Sequence, residues 1–362
     1  MRLPLKNATS FSTRRVLARE YVLVRVTTED GHSGLGFCYA GSAGGEIALA
    51  AVRTLLRDVV IGKDAYLVEG LWADMYQEAI LHGRTGAVMR ALSAIDIALW
   101  DRNAKAVGLP LYKLLGGMHA EWVPAYASGG YYLDTKTDDK LAEEMAGYVS
   151  SGFRAVKIKV GRLDESAEGR RMAAVREAVG NETIVMLDAN NAWSDLPTAL
   201  RYIRQYEPHD PYFIEEPFSP DDIENHARLA RCTSVAVATG EIEAGRWRFK
   251  ELLDKGAAAI LQTDAAVCGG VTEFRRIAAL ASAYGVTLSP HWFHQLHVHL
   301  VAATPNARYV EYFPDDLVFN FCQLLDSETE SSGGKLRIPQ KPGLGFNFDE
   351  TVITQYAISH WS

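Results

Sequence analysis

The sequence predicts an α/β protein, a parallel barrel of β/α units preceded by an α+β domain, and three observations carry that prediction. Beyond Leu115-Gly116-Gly117, short β-branched runs alternate with amphipathic helical stretches, which is the pattern of a parallel sheet with helical crossovers. A polar residue closes each run: Lys159, Asp188, Glu215, Glu241, Asp264, His291 and Glu311 follow at gaps of 29, 27, 26, 23, 27 and 20 residues. Each gap matches one β/α unit, so one functional group arrives per strand at the C-terminal mouth, where barrel enzymes work. Ahead of Leu115 the pattern differs, with a hairpin and then helices.

The elements follow in order. Residues 20–28 predict a strand, Glu29-Asp30-Gly31 a turn, and residues 34–39 the returning strand. Residues 40–45 are small and glycine-rich, as a flexible loop requires, and helical periodicity covers 46–60, 67–76 and 85–106. The barrel strands are expected at 155–160, 183–187, 212–214, 235–238, 260–263, 287–289 and 309–311, with helices such as 165–179 and 196–206 between them. The tail, with Pro339, Pro342 and Gly343-Leu344-Gly345, returns to loop and short-strand character and is expected to pack on the first domain. The expected division is a capping domain at 1–117, a barrel at 118–320 and a returning segment at 321–362.

Composition narrows the function classes. The 362 residues carry a net charge of −8 with scattered basic residues, and a nucleic-acid groove needs a positive stripe. Cys38, Cys232, Cys268 and Cys322 lie far apart, which fits neither a disulfide framework nor a zinc ribbon. Arg2, Lys6, Arg14, Arg15 and Arg19 precede no apolar signal core, and no apolar run approaches the ~20 residues that span a bilayer. A cytoplasmic enzyme with no nucleic-acid or membrane partner is the expectation.

Asp188, Glu215 and Glu241 end three consecutive strands. Singly, an acid at a strand end most often caps the next helix, but three hard carboxylates converging in register make a Mg²⁺ site. Glu216 follows Glu215 and by strand alternation should point the other way. Lys157 and Lys159 share one strand face. Helices cover the outside of a parallel barrel, so that face must be the inner one, where burial and a neighbouring cation can lower a lysine enough to act as a base. His291 and Asp264 end adjacent strands, which suits a carboxylate orienting an imidazole. His294, His297 and His299 lack a completing carboxylate or cysteine at regular spacing and read as helix residues rather than zinc ligands.

These residues, with Ser93-Ala-Ile-Asp-Ile-Ala-Leu-Trp100, Leu114-Leu-Gly-Gly117, Asp188-Ala-Asn190, Ile214-Glu-Glu-Pro217, Gly240-Glu241 and Gly269-Gly-Val-Thr272, resemble the mandelate racemase subgroup of the enolase superfamily along nearly the whole chain. The resemblance implies a modified TIM (β/α)7β barrel under an α+β capping domain. It implies Mg²⁺ on Asp188, Glu215 and Glu241, Lys159 as base on one substrate face, and His291 supported by Asp264 on the other. Lys157 and Glu311 would polarise the substrate carboxylate, Asn190 would contact an oxygen of the metal shell or substrate, and Arg84 would bind substrate from the cap. Mobile cap loops are expected at 5–19, 39–45 and 81–86.

Two departures stand out. The family carries a strand ahead of the position of Leu3-Pro4-Leu5, which leads to the expectation of a shortened start, and Ile242 replaces the amide of mandelate racemase, which argues against mandelate. A loop such as Ser42-Ala-Gly-Gly45 and the stretch His82-Gly-Arg84 suit a polyhydroxylated substrate. The expected reaction is therefore dehydration of a sugar acid to a 2-keto-3-deoxy acid by a homo-oligomer acting on small-molecule carboxylates. A racemase, epimerase or cycloisomerase sharing the first half-reaction is the alternative. A non-catalytic metal-binding barrel would not need both bases, and an amidohydrolase would need an H-x-H near the first strand, where the chain has only His297-Val-His299, late in the sequence.

Overall fold

The computed structural model describes residues 1–315 and 317–360. Asp316, within the expected barrel segment, and Trp361 and Ser362, at the end of the expected returning segment, lie outside the described residues. The N-terminal part contains an antiparallel sheet of β1 (Arg2–Ser10), β2 (Arg15–Thr27) and β3 (Ser33–Tyr39). The β2–β3 hairpin is the expected one, running in register from Tyr21 opposite Tyr39 to Thr27 opposite Ser33.

The first two strands correct one expectation: residues 5–19, expected as a mobile loop, are strand on either side of a short turn, and Leu3-Pro4-Leu5 lies inside the first strand. Leu3, Leu5 and Thr9 are buried while Arg2, Pro4, Lys6 and Asn7 are exposed. The register shift between Pro4 and Thr9 breaks the period-2 pattern that would have announced a strand.

Helix runs from Gly45 to Val60, with a π turn at Val52–Leu56, and again over Val68–Ala79 and Gly86–Ala106. The last lies across the β2–β3 sheet, and two glycines permit the approach. A Cβ at Gly34 would stand 2.0 Å from Ala98 O, and one at Gly36 1.8 Å from Ala94 O.

Eight parallel strands close the barrel: β4 (Trp122–Ser128), β5 (Ala155–Lys159), β6 (Ile184–Asp188), β7 (Phe213–Glu215), β8 (Ala236–Thr239), β9 (Ile260–Leu261), β10 (Thr287–Leu288) and β11 (Val310–Tyr312). β11 pairs with β4, and a bridge from Leu288 to Ala307 joins β10 to the approach of β11. A helix fills each of the seven intervals, so the barrel is (β/α)7β. The seven strands expected from the sequence are all present. The eighth, β4, is missing from that reading because Pro124 and three small residues mask it.

Helix starts are set locally. The side chains of Thr137, Asp164, Asp195 and Asp222 accept hydrogen bonds from the backbone N–H groups of Lys140, Ala167, Thr198 and Asn225. In β5, Val156 and Ile158 join the apolar layer under the helices with Met172 and Val175, which leaves Lys157 and Lys159 inside.

After the barrel, β12 (Ser331–Ser332) and β13 (Lys335–Arg337) form a small antiparallel ribbon on β4. The chain then returns to the N-terminal part: Leu344 N donates to Asp101 Oδ1 at 2.7 Å, and the Phe346 ring lies 6.2 Å from that of Phe37.

The two parts meet at a buried polar joint. Gly269 N donates to Ser93 Oγ at 2.9 Å, Thr272 donates to Asp96 through N at 3.0 Å and Oγ1 at 2.6 Å, and Trp100 Nε1 donates to Thr272 Oγ1 at 2.8 Å. Two of the motifs that carry the family resemblance are thus the two halves of one contact. Among the described residues no helix is long and apolar enough to cross a membrane.

Candidate active site

The C-terminal ends of β5 to β11 bring the expected residues together. Asp188 and Glu215 end β6 and β7, and Glu241 follows β8 by two residues across Gly240, which has φ 119°. One carboxylate oxygen from each of the three acids lies within 4.8 Å of the others. Glu215 Oε1 and Glu241 Oε2 are buried without a hydrogen-bond partner among the described residues. Burial first, then the charges of Glu216, Glu215 and Asp188, hold the Glu241 carboxyl well above the usual carboxylate range. Hard, converging oxygens that burial leaves unsatisfied fit a divalent cation.

Lys157 Nζ lies 2.6 Å from Glu215 Oε2, 2.7 Å from Glu311 Oε1 and 3.7 Å from Asp188 Oδ2. Lys159 Nζ pairs closely with Asp188 Oδ2 and faces the Tyr131 ring at 4.9 Å. Burial alone would lower both lysines, but Glu215 and Glu311 around Lys157, and Asp188 beside Lys159, outweigh it and hold both ammonium groups above their ordinary range. The expectation of a lowered lysine is thus not met here, because the carboxylates expected to bind metal act as the lysines' counter-ions. Glu311 is drawn down to about 2: burial opposes this, and Lys157 and His291 override it. Trp292 N also donates to Glu311 Oε2 at 2.9 Å. Lys157 and Glu311 are almost wholly buried and lie beneath the cavity rather than on its wall.

Across the trio from Lys159 stands His291. The shorter way round the ring from β5 to β10 passes two strands, β4 and β11, so the two groups approach from opposing sides. His291 Nδ1 lies 3.1 Å from Asp264 Oδ2 and its Nε2 3.5 Å from Glu241 Oε2. Ala266 N donates to Asp264 Oδ1 at 2.8 Å, which fixes the carboxylate. The other three histidines do lie on the helix His294–Ala302. Burial pushes His294 down to about 3 and His297 and His299 to about 4, so they remain neutral.

A cavity of ≈ 370 Å³ opens above these groups, between barrel and cap. The tip of the β1–β2 turn closes one side. Ser12 Oγ donates to Ala189 O and, at 3.1 Å, to Asn190 O, and Thr13 Oγ1 donates to Asn190 O at 3.2 Å. Asn190 lines the cavity, and its Oδ1 is buried without a partner. Arg84 does not reach this cavity. It lines a separate one with Tyr76, Thr85, Ala244, Trp247 and Arg248.

Two further groups escape sequence reasoning. Glu216 lines the same cavity as Glu241, against the alternation rule. It has φ 41°, a left-handed conformation that ends the strand's alternation and returns the side chain to the inside. Burial, then Asp188 and Glu215, push its carboxyl up to about 8. Trp292 has φ 75° and stacks on His291 at 5.4 Å between ring centroids. The Glu-Glu pair was the visible signal for Glu216, whereas the positive φ of either residue has no sequence signature.

Residues 2–116 match the mandelate racemase / muconate lactonizing enzyme N-terminal domain family, and residues 140–352 match the enolase C-terminal domain-like family. The chain is 35% identical over 329 residues to L-talarate/galactarate dehydratase of Salmonella typhimurium, covering 91% of this chain and 80% of that protein. It is 34% identical over 358 residues to 3,6-anhydro-alpha-L-galactonate cycloisomerase of Streptomyces coelicolor, covering 99% and 97%. The crystal structure of L-talarate dehydratase from Polaromonas sp. JS666, complexed with Mg and L-glucarate, superposes with a TM-score of 0.86 at 34% identity, covering 98% of this chain and 94% of that one.

Proposed function

The chain belongs to the mandelate racemase / muconate lactonizing enzyme family of the enolase superfamily, and from that premise we propose that it is a Mg²⁺-dependent sugar-acid dehydratase. The observation that carries the reading is the placement of Lys159 and His291 on opposing sides of Asp188, Glu215 and Glu241, with Lys159, Glu241 and His291 lining one cavity. Asp188, Glu215 and Glu241 would hold Mg²⁺. When bound, the ion supplies positive charge that stabilises the dianionic enediolate formed as a carbon acid beside a carboxylate ionises.

The chain's own groups do the rest. Were Asp188 engaged as a ligand, Lys159 would lose its counter-ion and its amine would become available as a base. Lys157, fixed by Glu215 and Glu311, keeps its charge beside the growing negative charge. One of Lys159 and His291 removes the proton from C2. The other protonates the hydroxyl on C3, the C3–O bond breaks, water leaves, and the resulting enol becomes a 2-keto-3-deoxy acid. Asn190 and the β1–β2 tip orient the substrate and keep water out.

The likeness to a cycloisomerase along nearly the full length of both chains favours one second reading. In it the same proton abstraction ends in isomerisation rather than loss of water. Four free cysteines accord with a cytoplasmic setting, and homo-oligomeric assembly belongs to the same reading.

The test is a panel of acid sugars assayed for 2-keto product in excess chelator and again with Mg²⁺ restored. Product only with Mg²⁺, lost together with metal affinity in Glu241→Gln, is the expected result. Full turnover in chelator would overturn it.

A further inference from the structure

Three arginines are buried among the described residues: Arg19, Arg102 and Arg171. Arg102 pairs with Asp30, and Arg171 lies 3.5 Å from Glu168. Among the described residues Arg19 pairs with no carboxylate. Its Nε donates to Val318 O at 2.7 Å and its Nη1 to Tyr39 OH at 2.8 Å, and its guanidinium rests 4.4 Å above the Trp292 ring. It lines the active-site cavity, one ring removed from His291. A guanidinium taken out of water without a counter-ion is unfavourable, and neutral carbonyl and phenol acceptors compensate only part of the loss. Arg90 lines the same wall, donates to Tyr39 O at 2.7 Å and, among the described residues, also pairs with no carboxylate. Tyr39 therefore ties both arginines into one rigid unit.

The cavity is polarised. Its acidic wall, Glu216 and Glu241, comes from the barrel, whereas Arg19 and Arg90 come from β2 and the helix Gly86–Ala106 of the cap. The barrel end is set to take one carboxylate of the substrate with its metal, and the cap end offers Arg19 and Arg90, with the exposed Arg14 also lining the cavity, to a second anion. We infer that the substrate is a dicarboxylic sugar acid whose far carboxylate is received by Arg19 and Arg90. Guanidinium and carboxylate match in shape and charge, and the buried cation gains the partner the fold withholds. The inference rests on the proposed dehydratase reading and narrows its substrate class.

The test compares matched pairs of hexaric and hexonic acids of the same configuration, with 6-phosphohexonates as a third arm. Wild type should favour the hexaric acid in kcat/KM by about 100-fold. Arg19→Gln and Arg90→Gln should each collapse that ratio by about tenfold or more, mainly through KM for the diacid. Arg19→Gln removes a buried group, so the half-buried Arg90 variant and calorimetric binding of both acids to Lys159→Ala protein keep the test decisive if it fails to fold. Equal turnover of diacid and monoacid by wild type, or a variant that weakens both alike, would overturn the inference while leaving the dehydratase reading intact. A preference for the phosphohexonate would keep a second anion but overturn the carboxylate. If no acid loses water or exchanges its α-proton, it is the dehydratase reading that fails.

Discussion

His291 Nδ1 lies 3.1 Å from Asp264 Oδ2, and this contact sets which ring nitrogen faces the reaction. A carboxylate oxygen accepts, so Nδ1 carries the proton between them and Nε2 is the nitrogen left to face the cavity. Asp264→Asn would place a donor against Nδ1 and force the proton onto Nε2. That variant should keep its fold and metal affinity and lose about 10²–10⁴ in kcat, with a displaced pH–rate profile. Unchanged kcat would show that Asp264 only packs.

Lys159 and His291 should be separable by isotope exchange. In D₂O, His291→Asn protein that forms no product should still exchange the α-proton if Lys159 removes it, and Lys159→Ala should not. The opposite pattern assigns the first step to His291. A variant lacking both groups that still turns over substrate would end the two-base mechanism.

The hydrogen bonds from Ser12 and Thr13 tether the cap tip to the segment just after Asp188. At about 1 kcal/mol for each side chain lost, the Ser12→Ala, Thr13→Ala double variant should raise KM about tenfold or more. Its metal affinity should stay unchanged, since neither side chain is an expected ligand. A loss of metal binding would make the tip part of the metal site rather than a lid.

His299 gives a pH signature far from the chemistry. Its Nε2 lies 3.1 Å from Leu344 O, its Nδ1 accepts from Tyr112 N, and burial holds it at about 4. The folded value is below the unfolded one of about 6.5, so the neutral ring's contribution is complete above pH 6.5 and is lost as pH falls toward 4. Relative to His299→Gln, wild type should lose up to about 3 kcal/mol of unfolding free energy across that window, read by denaturant titration at stepped pH. A pH-independent difference would place the ring's charge change elsewhere.

Much of this site was legible because a parallel barrel leaves little freedom. Val156 and Ile158 must face the helices, so Lys157 and Lys159 must face inward, and the spacing from Lys159 to Glu311 counts the strands. What stayed hidden depends on backbone angles or on distant neighbours. Glu216 follows the alternation rule until its φ of 41° suspends it. Arg19 reads as one more charge at the end of an expected loop, and its isolation is visible only once Trp292 and Tyr39 surround it. Arg84 suits a polyhydroxylated substrate by the composition of its cap loop, but composition alone does not say which cavity a loop serves.

The joint of Ser93, Asp96 and Trp100 with Gly269 and Thr272 bears on how the molecule could be taken apart. Burial pushes the Asp96 carboxyl up to about 7, and Thr272 satisfies it through its N–H and its hydroxyl. A barrel expressed alone would lose the acceptors for Gly269 N and Thr272 N at the start of the helix Gly270–Ala283, and a cap expressed alone would expose Asp96 in the middle of an apolar helix face. Neither fragment should hold its shape. The chain should melt in one cooperative step, and grafting a foreign cap onto this barrel should succeed only when the helix Gly86–Ala106 travels with the barrel.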